Sequence, residues 1–251
     1  MMTWRDAAAD MFLGATCPGC QRPSWRLCDD CRAQLAAYPA ELHNKSALSG
    51  LPHWAGAPFA GLAGHLVTAA KDRRRWDVIP HLGARLATAV VELLASVPWL
   101  EPIWLTPIPS APSAVRRRGL DVSCRLAASA QGFLRQAGLD CRTQRWLRLA
   151  RPVADQAGLN YHQRQLNLAG AYRLIRSPPA ADRQAGLILV DDVATTGASL
   201  AEGWRVCRQA DLMVLGAATV TATSDRYDSA VASVVNRIQV PVLRQEKTSP
   251  A

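Results

Sequence analysis

The chain has 251 residues, of which 49% are hydrophobic, and this composition excludes a disordered, collagen-like or coiled-coil protein. The length accommodates one α/β domain with a small accessory module. The net charge of +9 favours polyanionic partners. A solvated basic surface gives the same charge, so charge alone does not choose between phosphates, nucleic acid and no such partner.

The sequence predicts neither a membrane span nor export. The apolar stretch around residues 86–100 is interrupted by Glu92 and Pro98, and it falls short of the roughly 20 residues that cross a bilayer. Asp6 and Asp10 lie where a secretory peptide would be apolar. We therefore expect a cytoplasmic protein.

Four cysteines near the N-terminus predict a metal site. They follow residues 3–14, whose apolar spacing predicts a short amphipathic helix, and they form two Cys-x-x-Cys pairs: Cys17 with Cys20, and Cys28 with Cys31. This spacing places four thiolates on one tetrahedral ion, so structural Zn²⁺ is the predicted occupant. Redox pairs or two disulfides are the alternatives, and a cytoplasmic location disfavours disulfides.

The segment after the cysteines predicts a boundary. Residues 38–58 are rich in Pro, Gly, Ser, His and Asn and have no sustained hydrophobic period. We interpret them as a linker between a helix and zinc module over residues 1–37 and a main domain over residues 59–251.

Helical and strand patterns alternate along the main domain. Apolar residues recur with helical spacing at residues 60–71, 82–97, 123–137 and 200–209. Short apolar runs typical of buried strands occur at residues 103–109, 187–190 and 213–221. This alternation predicts an α/β fold with a parallel sheet covered by helices.

The strongest functional motif follows the predicted strand 187–190. Two carboxylates, Asp191 and Asp192, come directly after the strand, and Gly197 lies in a small, hydroxyl-rich loop before the next helix. Free backbone N–H groups and a helix N-terminus favour a phosphate there. Adjacent carboxylates repel phosphate, so their partners are hydroxyl donors or a cation. A sugar with a 5′-phosphate offers both kinds of group, whereas a helix capped after an acidic strand exit is the alternative interpretation.

Two further segments are candidates for the same site. The strand exit at Pro109 and Ser110 leads to Arg116 and Arg118, a loop whose donors could grip a diphosphate. The alternative is the basic start of a helix on the surface, since runs of charge are usually solvated. Later in the chain, Arg151, Gln156 and Arg164 are additional candidates.

The segment 187–200 resembles the phosphoribosyl diphosphate (PRPP) signature of type I phosphoribosyltransferases. The resemblance implies that the acidic pair holds the ribose hydroxyls, that the loop wraps the 5′-phosphate, and that Mg²⁺ accompanies PRPP. The PRPP-binding residues that it implies are Asp191, Asp192, Val193, Ala194, Thr195, Thr196, Gly197, Ala198 and Ser199.

With the paired cysteines in front, the chain resembles the ComF family of amidophosphoribosyltransferase-like competence proteins from about residue 12 to about residue 222. The matching features are Pro107-Ile108-Pro109 with Arg118-Gly119 after it, and a Gln156-Ala157-Gly158-Leu159 stretch followed by Arg164 and Asn167. The family usually continues Arg-Gly with an aromatic residue, Asn and Gln, where this chain has Leu120, Asp121 and Val122. That departure bears on catalytic competence.

Two hypotheses of function follow. The first is a ComF-like protein that binds PRPP or a nucleoside monophosphate, transfers a phosphoribosyl group to an unidentified acceptor and serves DNA uptake. The second is a non-catalytic PRPP sensor or scaffold that contacts single-stranded DNA or a competence helicase. Trp25, with Arg22 and Arg26, could stack on bases, or Trp25 could simply cover the metal site. A nucleobase salvage enzyme is disfavoured by the cysteine module, and the sequence does not indicate an oligomeric state.

Overall fold

The computed structural model describes residues 15–99, 101–153, 161–176, 179 and 184–223. The predicted N-terminal helix 3–14 and Gln156 lie outside these ranges. The helices are α1 (Asp29–Ala36), α2 (Gly61–Asp72), α3 (Ile79–Ser96), α4 (Pro112–Arg118), α5 (Val122–Gln136), α6 (Tyr161–Leu168) and α7 (Ala198–Gln209). The strands are β1 (Glu41–Leu42), β2 (His53–Pro58), β3 (Ile103–Pro107), β4 (Cys141–Thr143), β5 (Leu147–Leu149), β6 (Tyr172–Leu174), β7 (Gly186–Ala194) and β8 (Val214–Ala222).

The main sheet is mostly parallel, as the alternating pattern predicted. Within the described residues its strands lie in the order β1-β2-β8-β7-β3-β4, and only the short β1 is antiparallel to its neighbour. β3 pairs with β7 from Ile103 opposite Gly186 to Pro107 opposite Val190. β7 continues beyond that last pair, so its acidic residues project past the end of β3.

Helices cover both faces of this sheet. Alternation along β7 sends Ile188 and Val190 into one hydrophobic cluster with α2, α3 and α5, and Leu187 and Leu189 into a second cluster with α7. Because both faces are covered, the central strands are apolar on both sides, which explains the unbroken apolar run at the start of β7. An antiparallel pair, β5 with β6, adds to the second cluster.

The segment 38–58, interpreted from sequence as a linker, is part of the main sheet in the structure. It contains β1, a short 3-10 helix (Ser46–Leu48) and β2, and β2 pairs in parallel with β8. Turn-forming residues dominate the composition of this segment and conceal a six-residue strand, since a short strand with a Gly and a terminal Pro has little periodicity to detect.

The cysteine segment packs directly on the main domain. Leu27 and Leu35 belong to the same buried cluster as the core residues of α2 and α3. The buried Arg85 of α3 donates hydrogen bonds to the carbonyls of Ala36, Tyr38 and Gly56, which ties the end of α1 to β2. The segment therefore shares a core with the sheet.

Among the described residues, one helical stretch, Trp76–Ser96, is long and apolar enough to be considered as a membrane span. Most of it is buried inside the protein, and α3 packs against α5, β2 and β8. A buried core helix meets the same criteria of length and composition, so this stretch is weak evidence for a span.

Candidate functional site

The site lies where the direction of chain winding changes within the sheet. From β3 the chain passes through α4 and α5 to β4 on one side, whereas from β7 it passes through α7 to β8 on the other. β3 and β7 are neighbours, so their carboxyl ends form a topological switch point, where open parallel sheets bind ligands.

An open cavity of about 540 Å³ occupies this position, within the range of small-molecule sites. Its walls come from α2, the loop after β3, α4, α5, α6 and the end of β7. The walls carry charges of both signs. Asp191 and Asp192 are acidic, and Lys71, Arg118 and Arg164 are basic. A ligand that carries both hydroxyl donors and anionic groups matches such a surface.

The acidic pair is held by partners from two different helices. Asp191 Oδ1 accepts hydrogen bonds from Ser123 Oγ on α5 and from the Asp192 backbone N–H, each at 2.9 Å. Asp192 is almost fully buried, and its Oδ2 lies 2.7 Å from Nζ of Lys71 on α2. Burial, together with the neighbouring charge of Asp192, raises the pKa of Asp191 to about 7.

The loop after the acidic pair has the geometry of an anion site. Gly197 has φ +78°, a conformation that L side chains rarely adopt, and a Cβ there would lie 3.0 Å from Leu48 and 3.1 Å from Lys45. The Thr196 hydroxyl accepts a hydrogen bond from the Ala198 backbone N–H at the start of α7. A helix N-terminus behind a glycine turn favours negative charge.

Arg164 connects this loop to α6. Its Nη1 donates to Thr195 Oγ1 at 2.8 Å, while its Nε is buried with no hydrogen-bond partner among the described residues. Arg118 at the end of α4 has a similarly buried Nε without a partner there, and its Nη2 lies 3.9 Å from Asp72. Both guanidinium groups line the cavity and retain capacity to bind an anion.

Most of the predicted residues meet at this cavity. Those that line it are Pro109, Ser110, Arg118, Arg164, Asp191, Asp192, Val193, Thr195 and Ser199. Ala194, Thr196, Gly197 and Ala198 form the rest of the loop. Arg116 is exposed and is not part of the lining, because residues 112–118 form α4 rather than an open loop and its neighbours Arg117 and Arg118 face the cavity instead.

Arg151 has another role in the structure. Its guanidinium donates to the carbonyls of Asn167 and Ala169 at 2.9 and 2.8 Å, at the C-terminal end of α6, where a cation stabilises the helix. It does not line the cavity.

Lys71, Ser123 and Tyr172 are among the cavity residues that were not predicted as site residues. Lys71 begins a basic stretch, residues 71–75, whose sequence indicates only a charged connection between two helices. Ser123 belongs to no motif, and Tyr172 ends a segment of the family resemblance without being a candidate site residue there. Tyr172 is buried, and burial together with the charge of Asp191 raises the pKa of its hydroxyl. Parallel strand order brings these residues together across long stretches of chain, which no local spacing could reveal.

The unusual Asp121 is a helix cap. Its Oδ1 accepts hydrogen bonds from the Cys124 backbone N–H at 3.3 Å and from Ser110 Oγ at 3.2 Å, and its Oδ2 pairs with Arg145. Asp121 is not part of the cavity lining. Its charge is therefore directed to the start of α5 and to Arg145.

The four thiols of Cys17, Cys20, Cys28 and Cys31 form a second candidate site. All four sulfur atoms lie within 4.8 Å of one another, and Cys20 Sγ lies 3.7 Å from Cys28 Sγ. A tetrahedron with metal–sulfur bonds of about 2.3 Å has edges of about 3.8 Å, and all four cysteines are free. The arrangement is a candidate metal-binding site, consistent with structural zinc.

Backbone geometry supports this cluster. The N–H groups of Gly19 and Cys28 each lie 3.4 Å from Cys17 Sγ and point to it, as donors to a thiolate would. A Cβ on Gly19 would lie 2.6 Å from Leu62 and 2.8 Å from Cys31 Sγ. Glycine thus allows the first cysteine pair to approach both the second pair and α2.

These features define a class of protein: an α/β protein with an open, mostly parallel sheet, a polar cavity at its switch point and a four-cysteine cluster packed on the same core. No model of a known protein family matches the chain, and no curated protein matches it. Any more specific function is therefore inferred from the site itself.

Proposed function

We propose that the protein is a ComF-like member of the type I phosphoribosyltransferase superfamily that binds PRPP or a nucleoside monophosphate in the switch-point cavity. The observation that carries the proposal is the position of Asp191 and Asp192 near the end of β7 and of the Gly197 loop directly after it. The two carboxylates and the loop residues Thr195 and Ser199 border one cavity. The cavity has an acceptor side for ribose hydroxyls and a donor side for the 5′-phosphate.

The basic residues account for the rest of the ligand. Arg118 of α4 lines the cavity, as does Ser110, and is the proposed contact for the diphosphate group. Arg164 lies beside Thr195 of the loop and is the proposed additional contact for the 5′-phosphate. Mg²⁺ would accompany PRPP and neutralise charge on its diphosphate.

Transfer requires little covalent chemistry from the protein. An acceptor nucleophile bonds to C1 of the ribose while the bond between C1 and the diphosphate oxygen breaks, and diphosphate leaves with the electron pair. The protein's contribution would be to orient the ribose and to neutralise the departing charge. A sensor would use the same contacts without turnover.

We also propose that the cysteine cluster holds one structural Zn²⁺, since four thiolates complete a tetrahedral shell and leave no open position for catalysis. A cytoplasmic location accords with free thiols in this cluster. The metal would fix Gly19 and its neighbours against α2.

A titration tests the proposed ligand. PRPP with Mg²⁺ should bind in calorimetry and raise the thermal midpoint, since a ligand of the native state stabilises it by mass action, whereas ribose alone should do neither. No heat and no stabilisation at millimolar PRPP and Mg²⁺ would show that the cavity is not a PRPP site. Release of diphosphate with a panel of acceptors identifies a transferase, and recovery of intact PRPP identifies a sensor.

A second function is favoured by one surface. Arg75 donates to the Thr16 carbonyl and Arg74 to the Arg117 carbonyl, each at 2.8 Å, so the cysteine segment, the turn after α2 and α4 are contiguous. Trp25 and Trp76 are 51% and 42% exposed on these segments. Exposed aromatic rings among arginines are typical of single-stranded nucleic-acid binding, so we propose single-stranded DNA as a second ligand.

Fluorescence anisotropy with a labelled oligonucleotide tests this surface. Affinity should fall steeply as salt rises, because binding releases counterions, and Trp76→Ala should weaken it. Met213→Ala is a matched control, since Met213 is 42% exposed but precedes β8 at the opposite end of the sheet. Absence of binding at low salt, or equal loss in both variants, would exclude this surface.

A further inference from the structure

Lys71 lines the cavity although it belongs to none of the sequence motifs. Lys71 lies in the last turn of α2, and its Nζ reaches across the cavity wall to within 2.7 Å of Asp192 Oδ2. The Asp192 side chain is only 4% exposed. Among the described residues, Lys71 is the only cation that forms an ion pair with either carboxylate.

The acidic pair needs such a partner. Two adjacent carboxylates in a buried wall repel each other and are poorly solvated, so each favours protonation of the other. Burial and the charge of Asp192 raise the pKa of Asp191, while Lys71, the Asp192 backbone N–H and Ser123 act in the opposite direction. Burial lowers the pKa of Lys71, but Asp192 and Asp191 outweigh that effect and raise it, so Lys71 is charged at neutral pH.

We infer that Lys71 is a positioning residue for the proposed sugar-binding carboxylates: its ammonium group favours the ionised form of the pair and holds Asp192 in place, so that both can accept hydrogen bonds from ribose hydroxyls. This inference rests on the proposed function, because it assigns a role toward a ligand that carries a sugar. Lys71 acts through the carboxylates and need not touch the ribose.

The other groups around the pair cannot replace it. Ser123 from α5 supplies a neutral hydroxyl, and Thr221 from β8 donates to the backbone carbonyl of Asp192. Tyr172 from β6 is buried and uncharged. Of the nearby arginines, Arg118 on α4 pairs with Asp72, and Arg164 on α6 donates to Thr195.

A purely structural role is the alternative, in which Lys71 only attaches α2 to β7. The two roles predict different pH dependence of binding. If Lys71 favours the ionised form of Asp191, its removal raises the pKa of Asp191, and sugar binding is lost at a higher pH. If Lys71 only fixes α2, its removal lowers affinity by the same factor at every pH.

Calorimetry with ribose 5-phosphate from about pH 5.5 to about pH 10.5 separates these roles, since it covers a midpoint near the pKa of Asp191 and the expected rise above it. In Lys71→Met, which keeps the chain length but not the charge, the midpoint of the acid loss of affinity should rise by roughly one to three pH units, as expected for removal of a nearby opposite charge. Lys71→Arg should restore the midpoint. Inorganic phosphate needs only the loop, so it should bind both variants as it binds the wild type. The pH dependence of its binding also corrects for ionisation of the phosphate group of ribose 5-phosphate.

Asp192→Asn provides a second, opposite test. It removes the like charge that raises the pKa of Asp191, so the midpoint should fall. An unchanged midpoint in either folded variant overturns the role of Lys71 while leaving the sugar phosphate site intact. A wild-type protein that binds neither ribose 5-phosphate nor inorganic phosphate overturns the proposed function, and the inference with it.

Discussion

At the scale of single residues, Asp121 illustrates how a departure from a family pattern can be structural. Its carboxylate accepts from the Cys124 backbone N–H and lies at the N-terminus of α5, where the helix dipole favours a negative charge. Asn accepts the same hydrogen bond. The charge at this position is therefore compatible with a functional cavity.

Replacement of Asp121 tests this role. Asp121→Ala should lower the free energy of unfolding by about 1 kcal/mol, the usual cost of removing an N-cap, whereas Asp121→Asn should keep most of the stability. Urea denaturation measures both values. If Asp121→Asn abolishes PRPP binding without loss of stability, the carboxylate has a direct role at the cavity that its contacts do not indicate.

At the scale of elements, two glycines in helical regions should respond oppositely to the same substitution. Gly197 precedes α7 with a positive φ and has close neighbours at the Cβ position, whereas Gly132 lies within α5 with nothing within 4 Å of that position. The first needs glycine for its conformation and packing. At position 132 glycine only lowers the helix propensity of α5.

Gly197→Ala should destabilise the protein by roughly 1–2 kcal/mol, the cost of a left-handed conformation for a residue with a side chain, and should weaken binding of inorganic phosphate at the loop. Gly132→Ala should stabilise the protein by up to about 1 kcal/mol and leave phosphate binding unchanged. Thermal unfolding and calorimetry measure both effects. Equal effects of the two substitutions would contradict the assigned backbone role of Gly197.

The elements also show what the sequence could predict. Strong periodicity predicted α2, α3, α5 and α7 to within a few residues, and apolar runs predicted β3, β7 and β8. β2 was concealed by turn-forming residues. The segment of α4 was interpreted as a diphosphate-binding loop, with a basic surface helix as the alternative, and the structure has the helix. Hydrophobic periodicity indicates only local structure. Elements that are stabilised by strands or helices far away in sequence are therefore hard to predict from it.

The candidate site divides in the same way. The acidic pair on β7 and the glycine loop directly after that strand are contiguous in sequence, so they are visible as a motif. Lys71 and Ser123 reach the same cavity from α2 and α5, and only the packing of those helices on the sheet reveals their part in it. Arg151 was expected near the ligand, yet a nearby helix end satisfies its donors.

At the scale of the whole molecule, the cysteine cluster and the cavity are connected by one helix. Leu62 at the start of α2 is the neighbour that Gly19 approaches, and Lys71 at its end faces Asp192. Leu27 and Leu35 extend the main core into the cysteine segment. If the cluster holds the proposed zinc ion, loss of that ion should therefore destabilise more of the protein than the cysteine segment.

Cys28→Ser tests this connection, because it removes one of four thiolates that complete the proposed zinc shell. We expect loss of bound zinc and a lower thermal midpoint for the whole protein, in a single transition. Cys124→Ser is a suitable control, since Cys124 lies on α5 outside the cluster. Metal analysis and calorimetric unfolding measure the result, and a separate early transition with an unchanged main one would mean that the segment folds independently.

The pairing of β2 with β8 also constrains the order of folding. His53 lies opposite Ala217 and Pro58 opposite Ala222. During synthesis β2 therefore emerges from the ribosome long before its partner strand β8. Until β8 emerges, the edge of β2 that will pair with it is open to incorrect pairing. Contacts between residues far apart in sequence also slow folding, because the entropic cost of closing the long loop comes before the favourable energy of the contacts. A ribosome-bound chain that ends before residue 214 should therefore depend on chaperones and be sensitive to proteases near β2, and it should lose that sensitivity once β8 has emerged.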